Sequence, residues 1–461
     1  MKKFVAAAIV LAVMLSFAAC REKGVIPGGK TVTPGTLSQY DPEKCRASYA
    51  DRLVAQAVYP VSPQYPDGTV TDKEAEEWGK FRKNRMDAAS AIDSSALGSF
   101  VKKTVREYLA SDDGGNRVYS PVSLEIALSM LAEITDGQTR AQILSLLGAD
   151  SIENARRQAV SIWDGTYRDD GIGTTVLADS LWLNDGLMYK KPVLDILADS
   201  YRASSFSGKP GSTEYDSALR GWLTEQTRGM LDTSGVKLDP RTVIALAQTV
   251  YYKVSWENVF RESDTGKRDF EGTKGRVSVD FMNREIENGS VYFGDGWQAT
   301  RLDTSDGGAM WLILPDKGRT TADVIASDGM FDLISGNKNG IENRRAKVRL
   351  SVPKFDVSSL TDLIQGLINL GVTDVFGSSA DFGPLTDVPN VFVSEAKHAA
   401  RVMIDEKGCT GAAYTLIIAQ FNGRPEEKET IDFILDRQFV FAVTSDNGIP
   451  LFVGAVNDLT A

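Results

Sequence analysis

No part of this sequence constrains its fold more than the run Val243-Ile244-Ala245-Leu246-Ala247-Gln248-Thr249-Val250-Tyr251-Tyr252. It is almost unbroken in apolar and β-forming residues, the pattern of a central strand covered on both faces. A strand of that kind needs layers above and below it, and the rest of the chain has the material. Met310-Trp311-Leu312-Ile313-Leu314, closed by Pro315-Asp316, is a second strand signal, and alternation marks Val348–Val352, Phe355–Val357 and Phe439–Val443. Helical spacing links Leu97, Val101, Val105 and Leu109, then Ile126, Met130 and Ile134, then Tyr215, Leu219, Trp222 and Leu223. Ser120-Pro121 pairs a capping residue with Pro at the first helical position. The sum is an α+β fold with large, mainly antiparallel β-sheets.

At 461 residues the chain can bury a large core. A single domain is expected over residues 86–461, with no second linker and no internal repeat. The segments ahead of it differ in character. Residues 1–19 have Lys2 and Lys3 before an apolar stretch from Phe4 to Phe17, too short for a comfortable membrane span. The stretch ends in Phe17-Ala18-Ala19-Cys20 and resembles the bacterial lipoprotein signal, in which cleavage before the cysteine leaves a thiol to be acylated. Phe17 stands where Leu is commoner, and the alternative is a plain secretory signal with an incidental cysteine. Two acyl chains on Cys20 would anchor the protein stably, each buried CH₂ contributing ~0.8 kcal/mol. On that reading the protein is exported and lipid-anchored to a bacterial membrane, at the outer membrane or cell surface. Residues 20–45, rich in Gly, Pro and Thr, form a flexible tether. Residues 46–85 are a polar extension with a short helix expected at Tyr49–Val58. Cys45 and Cys409 remain, and they could pair in an oxidising compartment, although sequence alone does not decide a pairing.

A net charge of −11, with no basic stripe interleaved with aromatics, argues against binding nucleic acid, which needs clustered Lys and Arg to displace counterions. The single histidine, His398, excludes His-rich zinc sites and the HExxH arrangement. It would also have to be the base of any Ser-His-Asp or Cys-His site. Cys409 lies downstream on what the pattern makes the same strand and its continuation, too far along an extended chain to touch His398. No GxSxG elbow or phosphate-cradling loop is present. Neither a catalytic site, a metal site nor a cofactor is expected.

Several short motifs, each weak alone, occur in the order of one family. They are Tyr119-Ser120-Pro121-Val122-Ser123 with Ala127–Leu131 and Gly137-Gln138-Thr139, Leu181-Trp182-Leu183-Asn184, Tyr251–Trp256, Leu314-Pro315-Asp316, Pro353-Lys354-Phe355, Ala380-Asp381-Phe382 and Phe452-Val453-Gly454. From about Ala88 to the C-terminus the chain resembles the serpin family. That resemblance implies large sheets, about eight or nine helices around them, an exposed reactive-centre loop over about 408–430, and a monomer. It also implies a suicide-substrate inhibitor of serine or cysteine endopeptidases, whose partner is the target endopeptidase in a covalent complex. A serpin body without inhibition, acting as a binding or carrier lipoprotein, is the alternative.

The most informative stretch is Ile404-Asp405-Glu406-Lys407-Gly408-Cys409-Thr410-Gly411-Ala412-Ala413-Tyr414-Thr415, which resembles the serpin hinge. A loop that is first bait and then a middle strand must carry small residues on its core-facing parity. Cys409, Gly411, Ala413 and Thr415 are all small, while Tyr414 has the opposite parity. The stretch lacks proline, so each amide can join a ladder. Cys409 replaces the family's usual Thr, Gly411 its usual Ala, and Gln438 stands where Pro is common. Roughly 14 new ladder residues at ~0.5–1.5 kcal/mol each give on the order of 10 kcal/mol, comparable to a whole domain's stability.

The resemblance assigns further roles. His398 matches a buried histidine at the point where the sheet opens, with Ser120 and Ser123 as its partners. Gln248 replaces the usual Asn there. Trp256 matches the tryptophan at the top of the opening sheet, and Lys354 a basic residue that could pair with Glu406 and restrain the hinge. Counting Glu406 as the first residue, the seventeenth is Asn422, which suggests cleavage at Asn422-Gly423. Phe421-Asn422, one residue away, suits a chymotrypsin-like or broad protease.

Overall fold

Two sheets organise the protein, whose structure, a computed structural model, describes residues 40–66, 71–110, 114–409 and 429–460. In spatial order the first runs β1 (Leu53–Ala55), β5 (Ala203–Gly208), β4 (Gly173–Asn184), β6 (Ile244–Ser255), β14 (Gly408–Cys409), β13 (Lys397–Ile404) and β12 (Phe355–Asp362), with β3 (Arg168–Asp169) beside β4. The second runs β15 (Thr430–Ile434), β11 (Glu342–Pro353), β8 (Gly275–Gly294), β9 (Trp297–Asp303), β10 (Ala309–Pro315), β16 (Phe439–Thr444), β17 (Pro450–Val456) and β2 (Arg117–Tyr119), with β7 (Gly266–Gly272) beside β8. Among the named strand pairs only β4–β5 and β11–β15 are parallel.

Eleven α-helices lie among the described residues: α1 (Pro42–Ala47), α2 (Asp72–Ser90), α3 (Ser94–Leu109), α4 (Pro121–Glu133), α5 (Gly137–Leu147), α6 (Ile152–Thr166), α7 (Lys191–Ser200), α8 (Thr213–Gln226), α9 (Thr321–Ala326), α10 (Asp328–Ile334) and α11 (Ile364–Asn369). This exceeds the eight or nine implied by the resemblance, because α1 and α2 precede the body and α9–α11 are about two turns or less.

Nearly all of the run Val243–Tyr252 lies in β6, and it is covered on both faces. Ala245 and Ala247 pack with α8 through Leu219 and Trp222 and with Trp182 of β4 and Phe206 of β5. Leu246, Val250, Tyr252 and Val254 face the main core. There α4 packs on β6 from one side and β17 from the other, and all 13 of its residues are buried. Ile126 and Met130 of the expected stripe therefore belong to a helix buried on every side, with Ile134 just past its end, although four of its buried residues are polar or acidic. Likewise β16 does not alternate: all six of its residues are buried, because it lies between β10 and β17 under helices.

The extension corrects one expectation. No α-helix spans Tyr49–Val58; α1 ends at Ala47, and Leu53–Ala55 is a strand that adds to the edge of the first sheet, Leu53 opposite Phe206. Val54 and Val58 favour extended backbone, and Pro60, Pro63 and Pro66 exclude a helix beyond it. Further on, α2 is closed at its start by a reciprocal cap between Thr71 and Glu74 and runs through Met86 without a break. Cys45 and Cys409 are both free thiols, on α1 and β14 respectively. No helix among the described residues is long and apolar enough to cross a membrane. The lipidation residue Cys20, the loop residues Thr410, Gly411, Ala412, Ala413 and Thr415, and the bond residues Phe421, Asn422 and Gly423 lie outside the described residues.

Candidate functional site

The hinge begins where β13 ends. Asp405 accepts the backbone N–H groups of Lys407 (2.8 Å) and Gly408 (3.1 Å) on Oδ1, and its own N–H donates to the Gly408 carbonyl (3.0 Å). These bonds fold the chain back on itself. Cys409 consequently sits opposite Ile404 instead of continuing along the same strand as expected. His398 lies at the other end of β13, opposite Thr361, so strand length separates the imidazole from the thiol. Having turned, β14 enters the sheet antiparallel to both neighbours, Gly408 opposite Ser255 and Cys409 opposite Val254. A Cβ on residue 408 would collide with the Val254 carbonyl, so only glycine fits. Cys409 is small and buried, and burial pushes its thiol up to about 12, which leaves it an unreactive filler.

Trp256 closes this end of the sheet. Its Nε1 donates to the Asp405 carbonyl (2.8 Å), and its backbone N–H to the Lys407 carbonyl (3.0 Å). Glu406, buried beside it, takes Lys354 Nζ at 3.0 Å and the Thr265 hydroxyl at 2.8 Å. Its backbone carbonyl accepts from Phe260 N–H (2.9 Å). Burial alone would raise the Glu406 carboxyl, but its backbone N–H, Lys354 and Thr265 together hold it below the usual carboxylate range.

The middle of the sheet is arranged differently. His398 is buried against the edge of Tyr119, ring centroids 5.2 Å apart, and its Nε2 accepts the backbone N–H of Ser120 at 3.0 Å. Burial lowers the imidazole to about 4, so it is neutral and acts as an acceptor. Of its two expected partners, Ser120 contributes backbone and not hydroxyl, because that hydroxyl caps α4 by accepting the Ser123 N–H. Ser123 makes no hydrogen bond to the imidazole among the described residues. Gln248 does not join this group either; on β6 it stands opposite Asp179 of β4. Burial pushes the Asp179 carboxyl up to about 8, and the Gln248 amide beside it, outside hydrogen-bonding geometry, pulls it only part of the way back. Asp179 Oδ2 and Gln248 Nε2 are buried without a hydrogen-bond partner among the described residues. On α4, Glu125, which lines a cavity among the helices with Ala96, Leu147 and Ala155, is likewise pushed up to about 8 by burial, with Oε2 unpartnered.

Two of these residues escaped the sequence reading. Asp179 occupies a core-facing position in register with Leu177, Leu181 and Leu183, and an acid in an apolar strand is a visible anomaly. Thr265 carries no such signal, since only the fold brings it to Glu406. Among the described residues no group of His, Cys, Asp and Glu is placed to hold a metal ion.

Fold and hinge together define the class: an α+β protein of serpin architecture, with the start of a further strand lodged between β6 and β13 of its main sheet. The family profile "Serpin (serine protease inhibitor)" matches residues 95–459. Serpin-ZX of Arabidopsis thaliana is 28% identical over 369 residues, covering 74% of this chain and 92% of its own. The plasma serine protease inhibitor of Mus musculus is 27% identical over 388 residues, covering 82% and 93%. The thermophilic serpin tengpin in its native state superposes with a TM-score of 0.72 at 26% identity, over 88% of this chain and 100% of that one. The chain belongs to the serpin family, whose members are in general protease inhibitors and not enzymes.

Proposed function

We propose that this serpin is a suicide-substrate inhibitor of serine or cysteine endopeptidases, cut in its loop at Phe421-Asn422 or Asn422-Gly423 and then inserting the freed segment between β6 and β13. One observation carries the reading: Gly408 and Cys409 already form a rung between those strands, antiparallel to both. Carrying that register forward brings Gly411 level with Tyr252 and Val402, and Ala413 level with Val250 and Ala400. Thr415 comes level with Gln248 on one side and His398 on the other. Every residue aimed at the core on this path is small, and the one that reaches the under-bonded middle brings a hydroxyl that can donate and accept. Insertion would therefore place a hydroxyl beside Gln248, on the neighbouring strand, adding to the backbone ladder.

The test is incubation with chymotrypsin, elastase, subtilisin and papain, followed by denaturing gels and N-terminal sequencing of the released peptide. The reading expects at least one protease to form a complex that survives SDS, with a new N-terminus at Asn422 or Gly423. Cleavage by all four with no such complex would favour the carrier reading. Export and acylation of Cys20 in a bacterial membrane complete the proposal. A fatty-acid label incorporated by the parent and not by Cys20→Ala is the expected outcome, and equal labelling would reject the anchor.

A further inference from the structure

The segment from Tyr40 to Pro66 precedes the part of the chain that the family profile matches, and loop insertion gives it no role. Three of its side chains converge on Glu225 in the C-terminal turn of α8. The Tyr40 hydroxyl donates to the Glu225 backbone carbonyl (3.3 Å), Arg46 Nε to Glu225 Oε1 (2.5 Å), and the Tyr49 hydroxyl to Glu225 Oε2. The Glu225 side chain is only 7% exposed, so this segment buries the same carboxylate that it neutralises. The segment is then fastened along the sheet. Tyr49 meets Phe206 edge-on at 5.3 Å, β1 pairs with β5, and Tyr59 stacks on Trp163 at 5.6 Å. Tyr65 N–H donates to the Asp170 carbonyl (2.8 Å). It is a strap along the β5 edge.

The other flank of the same turn is held by the opposite side of the sheet. The Met230 carbonyl, just beyond α8, accepts from Arg401 Nη1 of β13 at 2.6 Å, and Arg401 is itself held by both oxygens of Asp356 on β12. The body of α8 rests on β4, β5 and β6. A bond from the α8 turn therefore crosses the line between β6 and β13. A strand entering there pushes those two apart by about 5 Å. A 2.6 Å hydrogen bond cannot span that, so either the bond breaks or the α8 turn leaves the strap.

We propose that Glu225 is a positioning residue for insertion: the strap pins the α8 turn to the β5 edge and sets how fast β6 and β13 part. The inference rests on the insertion reading above. It is tested in the full chain with Arg46→Ala/Tyr49→Phe, and with Arg46→Lys as the conservative control. Two rates are followed: spontaneous loss of loop cleavability by the intact chain held below its melting temperature, and gain of heat resistance after loop cleavage. The double variant is expected to speed both about tenfold, equivalent to 1.4 kcal/mol of barrier, with Arg46→Lys close to the parent. A contact that merely stabilised the fold would lower the melting temperature of the intact chain and leave the post-cleavage rate unchanged. Rates within about twofold of the parent would overturn the proposal. A parent that gains no heat resistance on cleavage would remove the insertion reading itself, and the strap's role with it.

Discussion

The two stations of the main sheet, the hinge end at Gly408 and the middle at His398, handle polar groups in opposite ways. They lie about 20 Å apart along β13, at ~3.3 Å per residue. At the hinge end these polar groups are answered: Glu406 by Lys354 and Thr265, Asp405 by two backbone amides, and the Trp256 indole N–H by a carbonyl. In the middle, Asp179 and Gln248 are buried with polar atoms unanswered. An unmet buried polar group costs about 1–3 kcal/mol, whereas a satisfied one is close to neutral. The sheet is thus firm where the loop is attached and under-bonded where a new strand would lie. What this teaches is where stability has been withheld: at the place the proposed insertion would fill.

The largest expected effect comes from stopping the arrival. Thr415→Arg places a long charge on the core-facing parity level with Gln248 and His398. Covalent complex should fall at least about 100-fold, the burial of an unpaired charge costing several kcal/mol, while cleavage of the loop continues, as read on gels. Undiminished complex would mean that the register does not extend into the middle.

A smaller effect comes from relieving the middle directly. The folded-state carboxyl of Asp179 sits at about 8, above its ordinary value of 3.8. The folded chain therefore holds a proton that the unfolded chain releases, so the contribution is favourable in acid and is lost as pH rises from near 4 to about 8. Asp179→Asn should stabilise the intact chain by about 1–3 kcal/mol at pH 8, with little gain at pH 4, as read by thermal melts at both values. Equal shifts at the two pH values would show that Asp179 is not buried in its neutral form.

The smallest effect is expected at the better-bonded end. Lys354 is partly exposed, with 38% of its side chain accessible, so solvent screens its pair with Glu406. Lys354→Met should cost the intact chain at most about 1 kcal/mol in a chemical melt. The Glu406 carboxyl is held below its ordinary range, so the stability it lends is present above that range and fades as pH falls through the folded value. In Lys354→Met that acid sensitivity should shrink. A loss larger than Asp179→Asn gains would invert the comparison.

Much of the fold is legible in the residues themselves. The Val243–Tyr252 run announces a two-faced strand, and Ser120-Pro121 announces a helix start, because both depend on local chemistry. The failures were of long range. Nothing in Tyr49–Val58 states that β5 offers it an edge, and nothing in Asp405–Gly408 states that two amides will fold it back. At the candidate site, the side chains that meet through the resemblance, Lys354 with Glu406 and His398 with Ser120, come together, although the latter does so through backbone. Gln248 was expected with His398; register does bring it level with that imidazole, but its other flank lies opposite Asp179 and its amide bonds neither. Composition cannot reveal that, because register is a property of two strands at once.

The central claim, that the severed loop becomes a strand between β6 and β13, is tested most directly by one pair of melts. Intact chain and chain cut once in the loop are heated side by side at neutral pH. On the order of 10 kcal/mol of new ladder predicts that the cut chain melts roughly 10–15 °C higher. A cut chain that melts at or below the intact one would contradict the account.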